Sequence, residues 1–273
     1  MEDTLIFATS LARQVGALLM EYYQAPGLKA SLKRDHSLVT EADLAADLLI
    51  SESIHKQFPD ELILSEEGQV TSLQHASKPM VDSSWSERYM PVTWIVDPLD
   101  GTTNFSLGMH FWGVLLTRLV SGWPEMTVLY FPLIGELYTA KLDGGAFLND
   151  QPIHVQPPIP ERPLSFFACC SRTYRLYSVR VPYKTRILGS ASYTFCCVAR
   201  GAAVLGFEAT PKIWDIAGPW LLINEAGGVI QTLDGNLPFP LSKGVSYASL
   251  DFPTLAAATS ELISKARQQI QPK

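Results

Sequence analysis

The sequence predicts an α+β fold built from layers of helices and sheets. Three observations support this prediction: two amphipathic helical patterns near the N-terminus, a run of strand-like segments in the middle of the chain, and alternating strands and helices after it. The chain has 273 residues, of which 47% are hydrophobic and 18% are charged. This composition is typical of a globular protein with a sizeable core and excludes a disordered chain.

The first part of the chain begins with two predicted helices. Apolar residues recur at helical spacing over residues 4–25, and Pro26-Gly27 ends that pattern. A second helical pattern begins near Thr40 and ends before Pro59.

Strand patterns follow these helices. Residues 61–68 (ELILSEEG) predict a short strand that ends in two acids, and the polar residues 69–91 predict a surface loop. Residues 92–97 (VTWIVD) predict a buried strand. Three further segments, FWGVLLTRLVSG, WPEMTVLYFP and GELYTAKLDGG, alternate strands and turns, which is typical of an antiparallel sheet.

The segment 151–163 is rich in proline and has the composition of a linker. We therefore place a boundary between two halves, residues 1–150 and residues 151–273. In the second half LSFFACC, VLGFEA and VIQTLDG predict strands. The predicted helices there are SASYTFCCVARGAA, WDIAGPWLLINEAGG and a final helix over roughly residues 252–268.

Charge and cysteine usage exclude several classes of protein. Lys and Arg number 21 against 27 Asp and Glu, giving a net charge of −6 without an evident basic cluster, which disfavours a nucleic-acid partner. The cysteines form two adjacent pairs, Cys169–Cys170 and Cys196–Cys197, in apolar surroundings, so we expect buried, reduced thiols. The N-terminus lacks a signal-peptide pattern, and no apolar run approaches the roughly 20 residues of a membrane span. These features predict a cytoplasmic protein without membrane contact.

Two acids stand at the end of the buried strand, in DPLD. Asp97 and Asp100 would repel each other there unless a cation neutralised them, and no Lys or Arg lies in the stretch. Mg²⁺ prefers such oxygen ligands, and the carbonyl of Leu99 adds another. Gly101 and Thr102 then open a short predicted helix, whose free amides favour a phosphate. The simpler alternative is that the two acids cap a helix and shape a turn.

Two other junctions between apolar and acidic residues strengthen the metal hypothesis. Glu66 and Glu67 follow the strand-like run LIL, and Asp215 lies where an apolar segment meets a helix start. Taken alone, the glutamates are typical of a solvated loop and Asp215 of an N-cap. Three such junctions in one chain favour an acidic cluster at one end of a layered sheet.

These motifs resemble a known family. DPLDGTTNF is similar to the first signature of the inositol monophosphatase family, and WDIAGPWLLINEAGG is similar to the second. SEEG resembles the family's glutamate pair, and SLVTEAD resembles its N-terminal segment. The resemblance runs in order from about residue 5 to about residue 265. It implies a layered α-β-α-β-α sandwich that forms one catalytic unit.

The resemblance implies Mg²⁺-dependent hydrolysis of a phosphate monoester, with two or three ions bound and with sensitivity to lithium. The implied metal ligands are Glu66, Asp97, the Leu99 carbonyl, Asp100 and Asp215. Glu66 and Thr102 would orient the attacking water, with Thr102 linked to Asp43, and the amides of Gly101 and Thr102 would hold the phosphate. By spacing alone, Asp43 equally fits a capping box with Thr40 at the start of the second helix.

The implied substrate contacts lie in the second half, at Gly189, Ser190, Ala191, Glu208 and Asp215, with Ser171 less certain. The alternatives are a helix N-cap for Ser190 and a solvated acid for Glu208. The roles of Lys33 and Glu67 stay open. The segment Thr210-Pro211-Lys212-Ile213 departs from the commonest family pattern beside the substrate, which puts the substrate in doubt but not the metal chemistry.

The leading hypothesis is therefore a phosphatase that acts on a phosphorylated polyol or sugar, with inositol monophosphate first. Histidinol phosphate is the runner-up, and fructose 1,6-bisphosphate, a nucleotide 3′-phosphate or NADP are further alternatives. A hypothesis of another class is a non-catalytic regulatory binding protein. The resemblance also implies a homodimer.

Overall fold

The computed structural model describes residues 2–25, 30–32, 38–68, 90–158 and 165–273. Within these residues the helices are α1 (Glu2–Gln24), α2 (Glu41–Gln57), α3 (Thr102–Ser106), α4 (Thr173–Leu176), α5 (Ala191–Ala199), α6 (Ile213–Glu225) and α7 (Ser260–Gln269). Short 3₁₀ turns cover Pro132–Ile134 and Tyr247–Ser249. The predicted loop 69–91 lies outside the described residues up to residue 89, as does Lys33.

One sheet has seven strands and lies mainly in the first half of the chain. Its strands are, in spatial order, β3 (Leu62–Ser65), β4 (Thr93–Asp100), β5 (Gly113–Val120), β6 (Trp123–Phe131), β7 (Glu136–Lys141), β8 (Gly145–Leu148) and β9 (Gln151–Pro152). Only β3 and β4 are parallel, and every other neighbouring pair in this sheet is antiparallel.

A second sheet has five strands in the order β12, β10, β13, β15, β14. These strands are β10 (Phe166–Cys169), β12 (Lys184–Ile187), β13 (Ala203–Glu208), β14 (Val229–Thr232) and β15 (Thr254–Ala257). Two small ladders complete the list, β1 (Ala30–Leu32) with β2 (Leu38–Thr40), and β11 (Tyr177–Val179) with β16 (Ile270–Pro272).

The helices and sheets form five layers. Helices α1 and α2 pack on one face of the seven-stranded sheet, and α6 packs on its other face. Helix α5 contacts α6 and also covers the five-stranded sheet, whose far face carries α7. The predicted α-β-α-β-α sandwich is thereby confirmed.

Each interface between layers has its own apolar core. In α1 the buried residues Ala8, Leu11, Val15 and Leu19 recur every three or four positions, so one stripe of the helix faces the sheet. Helix α6 is apolar on nearly all sides because it lies between the two sheets. That central core takes residues from both halves of the chain, so the layers are held together across the predicted boundary.

The boundary itself agrees with the placement of the sheets except at β9, which crosses it by two residues. The central core contains residues of both halves, so the two halves pack as one body. The division of the chain into residues 1–150 and 151–273 stays a prediction.

Three predicted boundaries are wrong. Strand β4 does not end at Asp97 but continues to Asp100 across a shift in its register with β5. Residues 254–257 form strand β15 between β13 and β14, so the final helix begins at Ser260, where Thr259 caps it. Helix α5 ends at Ala199, because Gly201 has a left-handed φ of 73° that closes it.

Among the described helices, none combines the length and the apolar character that a membrane-spanning segment requires.

The close approach of α6 to the seven-stranded sheet can be tested at Gly218. A Cβ at this position would lie 2.6 Å from Oγ1 of Thr127 and 2.9 Å from Cδ2 of Leu129. Alanine normally stabilises a helix by about 1 kcal/mol relative to glycine. We nevertheless expect Gly218→Ala to lower the free energy of unfolding by about 1–3 kcal/mol through overpacking. Urea denaturation measures this change, and a gain in stability would contradict the described packing.

Candidate active site

A cavity of about 500 Å³ lies where β4, α3, α5, β13 and α6 meet. All of the predicted site residues except Asp43 line it. They are Glu66, Asp97, Leu99, Asp100, Gly101, Thr102, Gly189, Ser190, Ala191, Glu208 and Asp215. Residues that are far apart in the sequence are therefore brought together as the motifs predict.

The end of β4 is shaped so that both of its acids reach the cavity. The register of β4 against β5 shifts between Asp97 and Asp100, which is the signature of a bulge. At this bulge the Leu99 amide donates to Oδ1 of Asp97 at 3.1 Å. Gly101 follows with a φ of 86°, and a Cβ there would lie 2.7 Å from the carbonyl oxygen of Phe111. Glycine therefore fits this position where the chain turns sharply into α3.

Three carboxylates converge at the floor of the cavity. Asp97, Asp100 and Asp215 each offer an oxygen, and these oxygens lie within 4.8 Å of one another. Asp97 is only 1% exposed, and among the described residues its Oδ2 has no hydrogen-bond partner. A buried carboxylate oxygen without a donor is costly, and a metal ion would complete its coordination.

The electrostatics of the cluster agree with this interpretation. Burial raises the pKa of Asp97 well above its ordinary value of 3.8, and the charges of Glu66, Asp100 and Asp215 raise it further. Burial also raises the pKa of Asp215, with contributions from Asp100 and Glu66. Glu66 therefore belongs to the same electrostatic group. The ligand atoms that these side chains offer are all carboxylate oxygens, which suit a hard cation such as Mg²⁺ better than zinc or copper.

Asp100 is held by the N-terminus of α5. Its Oδ2 accepts from the Ser190 hydroxyl at 2.6 Å and from the Ser192 amide at 3.0 Å, and its Oδ1 accepts from the Ala191 amide at 3.2 Å. The Ser192 hydroxyl also donates to Oδ2. An acid of the first half is thus fixed by a helix of the second half.

Ser190 also accepts from the Tyr193 amide at 3.1 Å, so the predicted alternative of an N-cap is confirmed. With its hydroxyl on Asp100, Ser190 positions that acid, and its direct contact with substrate stays a prediction. Ser192 was missed at the sequence level. In the sequence, Ser192 is only a second serine two residues after the capping Ser190. Its contact with Asp100 cannot be predicted until the position of Asp100 is known.

Both roles considered for Asp43 are consistent with its contacts. Asp43 is buried, and Thr40 and Asp43 form the predicted capping box at the start of α2, with the Thr40 amide donating to Oδ2 of Asp43 at 2.8 Å. Its Oδ1 lies 3.1 Å from the Thr102 hydroxyl, which also lies 3.0 Å from the Leu99 carbonyl oxygen. Asp43 thus stands behind Thr102, one contact away from the cavity.

Asp215 is not an N-cap, contrary to the interpretation of its position by itself. It is the third residue of α6, and its Oδ2 accepts from the Lys212 amide at 2.6 Å. This bond holds Asp215 at the helix start, where the helix dipole favours an acid. The ammonium group of Lys212 forms an ion pair with Asp251, with Nζ 3.0 Å from Oδ1.

Glu208 is not a solvated acid, because it is 4% exposed at the end of β13. Burial raises the pKa of Glu208 well above its ordinary value of 4.5. Cys170 lies beside it and lines the cavity, so this thiol, unlike Cys169, Cys196 and Cys197, is not fully buried. Ser171 lies exposed on the cavity wall.

Gly189 approaches α3 closely. Its φ is 80°, and a Cβ there would lie 2.4 Å from Oδ1 of Asn104. Asn104 donates to the Leu188 carbonyl at 2.8 Å and to the Phe111 carbonyl at 2.7 Å. The turn before α5 is therefore tied to α3, which fixes the two cavity walls that these elements form relative to each other.

Comparisons with known proteins agree with this geometry. A family model described as the inositol monophosphatase family matches residues 1–271, so the chain belongs to the inositol monophosphatase family. The chain is 29% identical to Nus factor SuhB of Pasteurella multocida, over 100% of this chain and 97% of that protein. It is 30% identical to the histidinol-phosphatase of Chlorobaculum parvum (84% and 85% covered) and to human inositol monophosphatase 1 (88% and 87% covered).

A solved structure gives the same result for the fold. The extragenic suppressor protein suhB from Bartonella henselae matches with a TM-score of 0.77 at 26% identity, over 98% of each chain. Since the family consists of phosphatases, the protein is a phosphatase, and the differing names of its relatives leave its substrate open.

The role of Ser192 in holding Asp100 can be tested by Ser192→Ala. This change removes one of the donors to a buried carboxylate, and hydrogen bonds to charged groups contribute about 1.5–3 kcal/mol. Because the other donors remain, we expect a loss of about 1 kcal/mol in the free energy of unfolding, measured by urea denaturation in chelator. The matched control is Ser264→Ala, an exposed serine of α7 with only a local bond to Ser260. Equal effects of the two substitutions would contradict the role of Ser192.

Proposed function

We propose that the protein hydrolyses the phosphate monoester of a polyol or sugar, with inositol monophosphate as the first candidate, in a Mg²⁺-dependent reaction. The observation that carries this proposal is the unpartnered Oδ2 of Asp97 within a cluster of buried carboxylates that faces a cavity. A site with this charge cannot hold a phosphate unless cations are present.

The residues that would hold Mg²⁺ are Glu66, Asp97, the Leu99 carbonyl, Asp100 and Asp215, and the proposed number of ions is two or three. Bound Mg²⁺ supplies neutralising charge for the phosphate and lowers the pKa of a water molecule at neutral pH. Asp97 would be the central ligand of the set, because it is 1% exposed and Glu66, Asp100 and Asp215 all raise its pKa.

The chain's own residues would orient the nucleophile. Thr102 lines the cavity, and its hydroxyl donates to Oδ1 of Asp43, so the Thr102 oxygen is left to accept a hydrogen bond from a water. Glu66, which follows β3 beside β4 and lines the same cavity, is the second group proposed to hold that water. Positioning of this kind matters because phosphoryl transfer offers the protein little covalent chemistry.

The amides of Gly101 and Thr102 are proposed to bind phosphate oxygens. They begin α3, where the first amides have no partner within the helix. On the other wall, Gly189, Ala191 and Glu208 are proposed to contact the polyol, with Ser190 acting at least through Asp100. A raised pKa for Glu208 favours the neutral acid, which donates as well as accepts hydrogen bonds to hydroxyl groups.

The alternative substrates remain histidinol phosphate, fructose 1,6-bisphosphate, a nucleotide 3′-phosphate and NADP. The relative named histidinol-phosphatase supports the first of these as the runner-up. A non-catalytic regulatory binding protein is less well supported, because a binder has no need of a full set of metal-ligating acids around a cavity. A homodimer, a cytoplasmic location, inhibition by lithium and the absence of a nucleic-acid partner stay predictions.

A panel of phosphomonoesters tests the proposal. Phosphate release at fixed Mg²⁺ is measured for inositol 1-phosphate and for the alternatives named above. We expect the highest kcat/KM for inositol 1-phosphate and no turnover in chelator. A preference for histidinol phosphate would make it the proposed substrate in place of inositol monophosphate. No phosphate release from any monoester would contradict the phosphatase activity.

Asp97→Asn tests the metal cluster by both activity and stability. The variant keeps the shape of the side chain but loses its charge, so we expect turnover to fall at least about 100-fold. In chelator the same variant should be more stable than the wild type by about 1–3 kcal/mol, since an unpartnered buried carboxylate has been removed. Added Mg²⁺ should raise the Tm of the wild type but not of the variant. A variant that Mg²⁺ stabilises as strongly as the wild type would rule out Asp97 as a ligand.

The stability gain of Asp97→Asn should also depend on pH. Because the folded pKa of Asp97 lies above its ordinary 3.8, the folded protein keeps a proton that the unfolded chain releases. The stability of the wild type in chelator therefore falls as pH rises above about 4, until the folded pKa is passed. The advantage of the variant should grow over that range, and a constant advantage would show that Asp97 does not titrate in the folded protein.

A further inference from the structure

We propose that Arg172 binds a second anionic group of the substrate. Of two otherwise equal polyol or sugar phosphates, the one that carries another phosphate or a carboxylate besides the phosphate that is cleaved would then bind more tightly. This inference rests on the proposed function, since it concerns the same cavity, but it goes beyond it by naming a specificity residue and a charge for the substrate.

Arg172 lies on the wall of the cavity that also contains the acid cluster. It directly precedes α4, its side chain is exposed, and its Nη1 donates to Oγ1 of Thr210 at 2.7 Å. Thr210 lines the same cavity. The guanidinium is therefore held at the cavity wall by a neutral partner instead of extending freely into solvent.

The charges around the cavity make Arg172 distinctive. Of the described residues that line the cavity, the other charged ones are all acids, namely Glu66, Asp97, Asp100, Glu208 and Asp215. No carboxylate of the described residues forms an ion pair with Arg172, whereas nearby Lys212 is paired with Asp251. A guanidinium has five N–H donors and binds phosphate or carboxylate with two parallel bonds. The donors that Thr210 does not use suit such an anion.

If Arg172 had a purely structural role, its bond to Thr210 would hold the segment around Arg172 against the segment around Thr210. Other contacts already serve that purpose. The Ala209 amide donates to Sγ of Cys170 at 3.4 Å, and the Phe252 amide donates to the Pro211 carbonyl at 2.9 Å. Because other contacts already hold both segments, Arg172 is not needed as a tie between them.

The consequence is selectivity between substrates that differ by one anion. The acid cluster with its cations would take the scissile phosphate, and Arg172 would take the second group. A neutral hydroxyl in that place gains little from a guanidinium, whereas a phosphate gains a charge-assisted hydrogen bond. Since Arg172 is exposed, the gain is about tenfold in affinity and weakens with salt.

The experiment compares matched substrate pairs in the wild type, Arg172→Ala, Arg172→Lys and the control Arg175→Ala. The pairs are fructose 1-phosphate with fructose 1,6-bisphosphate, and inositol 1-phosphate with inositol 1,4-bisphosphate. Arg175 is an exposed arginine of α4 that does not line the cavity, so its loss changes the net charge equally.

We expect Arg172→Ala to raise KM for the bisphosphate of at least one pair about tenfold, with kcat and the monophosphate KM unchanged. Arg172→Lys should lie between the wild type and the alanine variant, because it keeps the charge but loses the planar fork. Added salt should raise the bisphosphate KM of the wild type towards that of Arg172→Ala. The control should behave as the wild type.

Equal changes in KM for the two members of both pairs, or a fall in kcat for all substrates, would overturn the proposal and leave Arg172 as a structural residue. Failure of the proposed function is a separate result, in which the wild type releases phosphate from none of the four substrates. In that case, calorimetry measures the affinity of the wild type and of Arg172→Ala for fructose 1,6-bisphosphate in the presence of Ca²⁺. Weaker binding by Arg172→Ala supports the proposed role of Arg172, and equal affinity of the two proteins overturns it.

Discussion

The structure depends on one constraint, the crowding of carboxylates that the fold itself creates. Asp97 and Asp100 come from a bulged strand, and Asp215 comes from the start of a helix in the other half of the chain. Their oxygens lie within 4.8 Å of one another, in a place where Asp97 is nearly excluded from water. Like charges at this separation destabilise the folded state unless cations are present. The fold therefore holds these carboxylates together at a cost in stability, which a bound metal ion would offset.

The layers explain how such a site stays assembled. Helix α6 is buried between the two sheets and brings Asp215 to the end of β4, while α5 uses its first turn to hold Asp100. The bonds from α5 to Asp100 join the two halves at the point where the proposed chemistry occurs. Rigid elements thus fix the acids, while Arg172 and Thr210 line the same cavity from segments outside the acid cluster.

The sequence could predict that the acids converge because each one follows an apolar run, and three such junctions in one chain favour a shared cluster. It could not predict the hydrogen bonds that orient them. Ser192 contacts Asp100 across 92 positions of sequence, a relation that no local pattern encodes. The alternative of an N-cap for Asp215 was wrong by three positions: Asp215 is the third residue of α6, and both positions favour acids at a helix start. Residues 254–257 were predicted as part of a helix, because a short apolar run fits a helix and a buried strand equally well. Only its pairing with β13 shows that it is a strand.

We expect the carboxylate cluster to bind divalent cations. Crystals grown with Mn²⁺, measured at a wavelength where manganese scatters anomalously, show directly whether an ion lies there. Anomalous peaks within coordination distance of the carboxylates of Asp97, Asp100 and Asp215 are the expected result. An anomalous map without a peak at these carboxylates in saturating Mn²⁺ would contradict it.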